Sequence, residues 1–203
     1  EHLLALGVSG VIGPALSDAL IEVGAGVQQS KFLQISDGMV LVSPSATNPG
    51  LTKENDLVWR VVPSDALQAR AIAEILRNPQ IWGIPSTEKL AVVHKEGAYG
   101  QGLATQLSLE LEAAIVPQVY PDPNEYLADQ SLQEPCSLNG SCTDCQTGCC
   151  NECWFAPTYQ WLGEELPDVV VLLGTEEVTG ILAWLSAVWE KNNRPPIQWI
   201  VSE

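Results

Sequence analysis

The sequence predicts a parallel α/β fold built as two sheets facing each other across a cleft. Three observations carry this. Apolar runs of strand length alternate with amphipathic helical stretches along the chain. One run, Asp168–Leu173 (DVVVLL), is continuously apolar, as a strand covered on both faces requires. The strand-like runs also fall into two groups, on either side of a break at Gly83-Ile84-Pro85.

In chain order, Val8–Ile12 reads as a strand closed by Gly13-Pro14. A helix follows from about Asp18, with Ser17 as its N-cap and Leu20, Ile21, Val23 and Val27 on roughly one face. Met39–Val42 is a short buried strand. It opens into Ser43-Pro44 and the small residues Ser45-Ala46-Thr47 before the Asn48-Pro49-Gly50 loop. The C-terminal end of such a strand is where open α/β sheets bind ligands, and small side chains leave backbone groups free to touch one. Val58–Val62 is the next strand. Asp65–Arg77 is the best-marked helix: Asp65 and Gln68 have capping-box spacing, and Leu67, Ala71, Ile72, Ile75 and Leu76 recur at helical spacing. The chain is expected to change lobes at about residue 85. Residues 1–85 would belong to lobe one and 86–203 to lobe two.

Lys89–His94 is a strand, and the Gly-rich turn Gly97–Gly102 leads into a helix with Leu103, Leu107, Leu111 and Ala114 as its buried stripe. Ile115–Tyr120 is another strand. Residues 122–163 read as an irregular, peripheral insertion. After Asp168–Leu173, Thr175 caps a helix whose core face carries Val178, Ile181, Leu182, Leu185, Val188 and Trp189. Ile197–Val201 is the last strand.

Composition excludes several classes. A net charge of −16 argues against nucleic acid or an anionic membrane surface as partner. No apolar run has the length of a membrane span. The chain carries no GxSxG, GxxxxGK[ST] or HExxH, and nothing else in it supports an enzyme or implies a cofactor. Of its two histidines, His94 ends a strand, where a structural role is the commoner one. The chain starts at Glu1 without Met and stops in a strand-like run, so both ends are expected to be cuts in a larger protein.

Four stretches, VIGPALSDA at 11–19, LVSPSATNPGLT at 41–52, VVPSDALQARAIAEIL at 61–76 and VVHKEGAYGQGLA at 92–104, resemble the type I periplasmic binding proteins in order and spacing. This family comprises the substrate-binding proteins of branched-chain amino acid transporters and the related ligand-binding regions of extracellular receptors. DVVVLLGTEEVTGILAWL at 168–185 fits the family as well. The resemblance implies two Rossmann-like lobes that close on a ligand, with only part of each lobe in this chain.

By the same resemblance, the ligand-binding residues are Ser17, Ser45, Ala46, Thr47, Tyr99 and Glu203. Ser17 would hold a ligand carboxylate, and a helix N-terminus favours an anion there. The Ser45 carbonyl and Thr47 hydroxyl would accept from an ammonium, and the Thr47 N–H would donate to the carboxylate. Tyr99 would cover the ligand, and Glu203 would face the ammonium. Asp65 also matches a family position, but a capping role accounts for it.

All six cysteines, Cys136, Cys142, Cys145, Cys149, Cys150 and Cys153, lie in the 122–163 insertion, which departs from the family pattern. They could form three disulfides, with 15 pairings open, or a metal site on the Cys142-x-x-Cys145 and Cys150-x-x-Cys153 spacings. The periplasmic or extracellular setting that the family implies favours disulfides, and a metal-free island.

The expected function is that of an extracytoplasmic solute-binding protein of an ABC transporter. Its partners would be an amino acid or similar small polar solute and a membrane permease. The expected location is periplasmic or extracellular, reached by a signal peptide, with a lipid anchor as one option. The alternatives are the sensor domain of a receptor and, in another class, a metal or redox protein that works through the cysteine cluster.

Overall fold

The computed structural model describes residues 2–29, 39–53, 57–123 and 155–202. Among them, seven strands form two separate parallel sheets. The first sheet has the order β1 (Gly10–Ile12), β2 (Val40–Ser43), β3 (Val58–Arg60). The second has the order β5 (Gln118–Tyr120), β4 (Leu90–Lys95), β6 (Val169–Leu173), β7 (Gln198–Ser202). The helices are α1 (His2–Ala5), α2 (Ser17–Gln29), α3 (Asp65–Arg77), α4 (Ala98–Glu110), α5 (Ala156–Glu165) and α6 (Val178–Lys191). All seven strand expectations overlap a strand, with ends shifted by up to three residues.

The second sheet carries the larger core. Every residue of β6 is fully buried, as its unbroken apolar sequence requires. Its alternation divides the packing. Val169, Val171 and Leu173 join Val92 of β4 under α3 and α4. Val170 and Leu172 join Ala91 and Val93 under α5 and α6. The first sheet has a smaller core, Leu20, Met39, Leu41 and Ala46, on the face that α2 covers. On its other face Ile12 and Trp59 are exposed, and both pair across Val42.

Several expectations differ from the structure. The buried face of α3 packs on the second sheet: Ala69, Ile72, Ala73 and Leu76 share one core with Val92, Leu103, Leu107 and Val171. Leu67 and Ala71, expected in that stripe, are exposed, because the helix turns its alanine-lined face inward. In α2, Leu20 of the expected stripe is buried, whereas Ile21 and Val23 are exposed. In α4, Leu103 and Leu107 are buried, but the helix ends at Glu110, which leaves Ala114 outside it and exposed.

The irregular reading of 122–163 is corrected at its C-terminal end. Residues 156–165 form α5, and Phe155 and Leu162 are fully buried in the second sheet's core. Proline at the second helical position and a short polar stretch hid a helix whose apolar contacts are few but deep. The six cysteines lie outside the described residues, as does Glu203.

Candidate ligand-binding cleft

The first wall of the cleft grows from the C-terminal ends of β1 and β2. After β1, a cis Gly13–Pro14 bond leads to α2, whose first residue is Ser17. Small hydroxyl side chains tie this turn to the loop after β2. Ser43 Oγ donates to the Pro14 carbonyl at 2.6 Å and accepts from the Ala46 N–H at 3.1 Å. Ser45 Oγ donates to the Ala15 carbonyl at 2.8 Å. Buried Ser17 accepts from the Asn48 N–H at 3.3 Å, so its hydroxyl faces the β2 loop instead of capping its own helix. Its O–H proton is left to donate elsewhere. The Thr47 carbonyl accepts from the Asp65 N–H at 2.9 Å and from Arg60 Nη1 at 3.1 Å.

The second wall lies at the point where the second sheet reverses its order. From β4 the chain proceeds to β5 on one side, and from β6 to β7 on the other. A crevice opens outside the strand ends at such a reversal. Lys95 ends β4, and Thr175 follows β6. Lys95 Nζ is 2.8 Å from Asp122, 3.9 Å from Glu177 and 3.3 Å from Thr175 Oγ1. Burial pushes the Glu177 carboxyl up. Hydrogen bonds from the Thr175 hydroxyl and N–H, and from the Tyr120 hydroxyl, outweigh that and hold it below the usual carboxylate value. The same burial, reinforced by Glu177, drives the Tyr120 hydroxyl far above its ordinary value.

Tyr99, in the first turn of α4, hydrogen-bonds through its hydroxyl to Ser202 at 2.8 Å. Burial raises its pKa, against the Ser202 hydrogen bond and with help from the charges of Asp65 and Glu177.

Between the walls lies a cleft of about 390 Å³. Ser17, Ser45, Thr47 and Tyr99, all chosen from the sequence, line it together. Ala46 does not. Its side chain is 1% exposed and packs with Leu20, Met39 and Leu41 in the first sheet's core. Glu203 lies outside the described residues.

The sequence reading missed Asp65, Gln68, Lys95, Asp122 and Thr175 as lining residues. Asp65 is the instructive case. Its expected capping role belongs to Ser64, whose side chain accepts from the Ala66 N–H. Asp65 is instead the first residue of α3, 4% exposed, and its Oδ2 has no hydrogen-bond partner. Burial raises its pKa, opposed by Thr47 and by the charge of Arg60. The pair Ser64-Asp65 offered two good capping residues in succession; taking the second as the cap hid the acid.

His94 is buried, with Nδ1 2.7 Å from the Lys95 carbonyl, and lines a different cavity between α4 and β5. Among the described residues, no helix is long and apolar enough to cross a membrane.

The family model described as "Receptor family ligand binding region" matches residues 2–117, more than half of the chain. The chain belongs to this family. It is a ligand-binding family, the one that the four ordered motifs point to, and the match takes in all of α3 and α4 and the first wall of the cleft. The Leu/Ile/Val-binding protein homolog 3 of Brucella melitensis biotype 1 is 32% identical over 105 residues, which is 51% of this chain and 27% of that protein. The Leu/Ile/Val-binding protein BraC3 of Rhizobium johnstonii is 31% identical over 118 residues, 57% of this chain and 29% of its own length. The aligned part of this ligand-binding region thus spans less than a third of either relative.

Proposed function

We propose that this ligand-binding region forms part of the cleft of an extracytoplasmic solute-binding protein, which takes up an amino acid and delivers it to an ABC-transporter permease. The observation that carries the reading is the meeting of Ser17, Ser45 and Thr47, from the first sheet's strand ends, with Tyr99, Lys95 and Thr175, from the second's, around one cavity. Two sheets that present their ligand-binding edges to each other suit a small molecule held between lobes. The first-sheet wall supplies hydroxyl and backbone donors at a helix start, as a carboxylate needs. One relative is named a Leu/Ile/Val-binding protein and the other a homolog of one, which supports the same solute class. Delivery from outside the cytoplasm follows from that class of protein.

In this reading the ligand carboxylate lies at Ser17 and the start of α2, and the α-ammonium lies between Thr47 and Glu203. A handful of charge-assisted hydrogen bonds, after binding costs, corresponds to roughly micromolar affinity, about −8 kcal/mol. The first crossing between lobes in this reading lies at residues 61–64, which join β3 to α3, and the packing of α3 on the second sheet supports it.

Titration calorimetry on the full-length protein tests the reading with an amino acid and its des-amino analogue. Thr47→Ala should weaken the amino acid by on the order of tenfold, about 1.5 kcal/mol. Glu203→Gln should weaken the amino acid and leave the des-amino analogue almost unchanged. Equal losses for both ligands would remove the zwitterion assignment.

The sensor domain of a receptor is the second reading, and the family model's own description favours it. A membrane span followed by a signalling domain in the full-length sequence would select it over transport.

A further inference from the structure

A second cavity, of about 460 Å³, opens beside α4 and shares only Glu96 with the cleft. One side is the edge of the second sheet, where β5 is the outermost strand. Ile115, Pro117 and Val119 stand at alternate positions along this edge and so present one face to the cavity. Val119 is in register with His94 of β4, which sets the two side chains next to each other on that face. The other side is the flank of α4 that carries Gln101, Thr105 and Ser108, at helical spacing.

The hydroxyls of this lining are spent on backbone groups. Thr105 donates to the Gln101 carbonyl at 2.7 Å. Ser108 donates to the Ala113 carbonyl and accepts from the Ile115 N–H at 3.3 Å. His94 differs. It is 5% exposed, and its Nδ1 lies 2.7 Å from the Lys95 carbonyl, which can only accept. Nδ1 therefore carries the hydrogen, and Nε2 of the neutral ring is an acceptor. Nε2 has no hydrogen-bond partner among the described residues. It is not one of the fully enclosed polar atoms that lack a partner, Asp65 Oδ2 and Trp184 Nε1, so it looks onto the cavity that the ring lines. A nearly buried acceptor that is left open in this way calls for a donor. At the rim, the exposed Glu96 offers a second acceptor, with no ion-pair partner among the described residues.

The geometry points to a second small-molecule site, for a compact apolar body with a hydroxyl donor at one end and an ammonium at the other: a phenolic amine. The hydroxyl donates to His94 Nε2, the ring lies against Ala104, Ile115, Pro117 and Val119, and the ammonium faces Glu96. The volume is within the range of small-molecule sites. A carboxylate in place of the ammonium would meet the like charge of Glu96, and a wholly apolar molecule would leave His94 without its donor.

NMR titration of the full-length protein with tyramine, phenethylamine and 4-ethylphenol tests the site. Phenethylamine lacks only the hydroxyl of tyramine, and 4-ethylphenol lacks only its amine. Tyramine should bind and shift the His94 ring signals. Phenethylamine should bind several-fold more weakly, the worth of one neutral hydrogen bond. 4-Ethylphenol should also bind more weakly, and its deficit should shrink as salt is raised. In His94→Leu, tyramine and phenethylamine should bind alike. Thr105→Trp, at an exposed position of α4, fills the cavity and should abolish tyramine binding, and it serves even if His94→Leu does not fold. Tyramine binding kept in folded Thr105→Trp would overturn the inference. So would absence of binding by the wild type at about 10 mM tyramine, well above a millimolar Kd. Phenethylamine binding as tightly as tyramine would overturn the role of His94 and with it the ligand class. The solute-binding reading of the cleft stands apart from all of these outcomes.

Discussion

The carboxylate of Asp18, in the first turn of α2, accepts a hydrogen bond at 2.6 Å from the backbone N–H of Ala98, the first residue of α4. An acid at the start of one lobe's helix thus satisfies an open donor of the other lobe's helix, where the dipole favours negative charge. Gly97, at φ +115°, makes the turn that brings the two together. The Ala98 carbonyl is held from the same side by the Asn48 amide. Asp18→Ala should weaken ligand binding several-fold by loosening this bridge, and lower stability by about 0.5–2 kcal/mol, the usual range for a lost helix cap. Calorimetry and thermal denaturation of the same variant measure both.

Gly102 faces the Asn48 side chain so closely that an added Cβ would collide with its amide. Gly102→Ala should therefore weaken both stability and binding in the wild-type background. Asn48→Ala removes the obstacle, so the double variant should lose less than the sum of the single losses. A double-mutant cycle by denaturant titration reads the difference. Strict additivity would mean that the two residues do not meet.

Asp65 should make stability fall with rising pH. Its carboxyl is pushed above the ordinary 3.8, so the folded chain holds the proton more tightly than the unfolded chain. The resulting cost is absent below the unfolded value and fully present above the folded one. Asp65→Asn should thus raise Tm at pH 7, with the gain shrinking as pH approaches 3.8. Melting curves of the ligand-free protein across that range test it. A drop in Tm at pH 7 would show that Thr47 and Arg60 outweigh burial.

Glu177 has the opposite sign. Its folded pKa lies below 4.5, so it contributes stability above that value and loses it as pH falls through the folded pKa. Glu177→Gln should lower Tm at pH 7, and the difference from wild type should fade in acid. It also leaves Lys95 with Asp122 as its remaining ion-pair partner among the described residues, so salt should affect the variant differently from the wild type.

Deleting 122–163 should abolish folding, although the composition of that stretch suggests a dispensable insertion. The deletion takes away Phe155 and Leu162 from the core and Asp122 from Lys95. Loss of one large core side chain costs on the order of 3–5 kcal/mol, comparable to much of a domain's net stability. A folded, binding-competent deletion would show that α5 is expendable. For the cysteines, thiol counting on unfolded, unreduced protein should find essentially no free thiol, and stoichiometric zinc or iron would reverse the disulfide reading.

Much of the architecture was legible because its signals are local. β6 announces itself through an unbroken apolar run, and α3 through its periodicity. What was not legible depends on partners distant in sequence. Which face of α3 is buried is decided by β4, α4 and β6, not by the helix's own largest residues; Leu67 is exposed while small Ala69 and Ala73 are fully buried. In the cleft, Ser17, Ser45 and Thr47 stood out because small hydroxyl residues after strands are unusual enough to notice. Lys95, Asp122 and Thr175 did not, since each is an ordinary surface residue type until the sheet's reversal of order brings them together. Ala46, between Ser45 and Thr47, turns its side chain to the first sheet's core, a placement that its own sequence does not signal.

The attachment of α3 has a mechanical consequence. Its first residue is pinned to the Thr47 carbonyl of one lobe, while its buried face belongs to the other. Its 13 residues make a rod of about 20 Å. If the lobes turn about the pinned end by some 20°, Asp65 barely moves, while the far tip sweeps about 7 Å, the product of that length and angle. The tip is fastened to the second lobe, where Arg77 donates to the Glu110 carbonyl. The helix is then a pointer with its pivot at the ligand, and a fluorescent or spin label beside Arg77 would register a swing that the same label at Asp65 would miss.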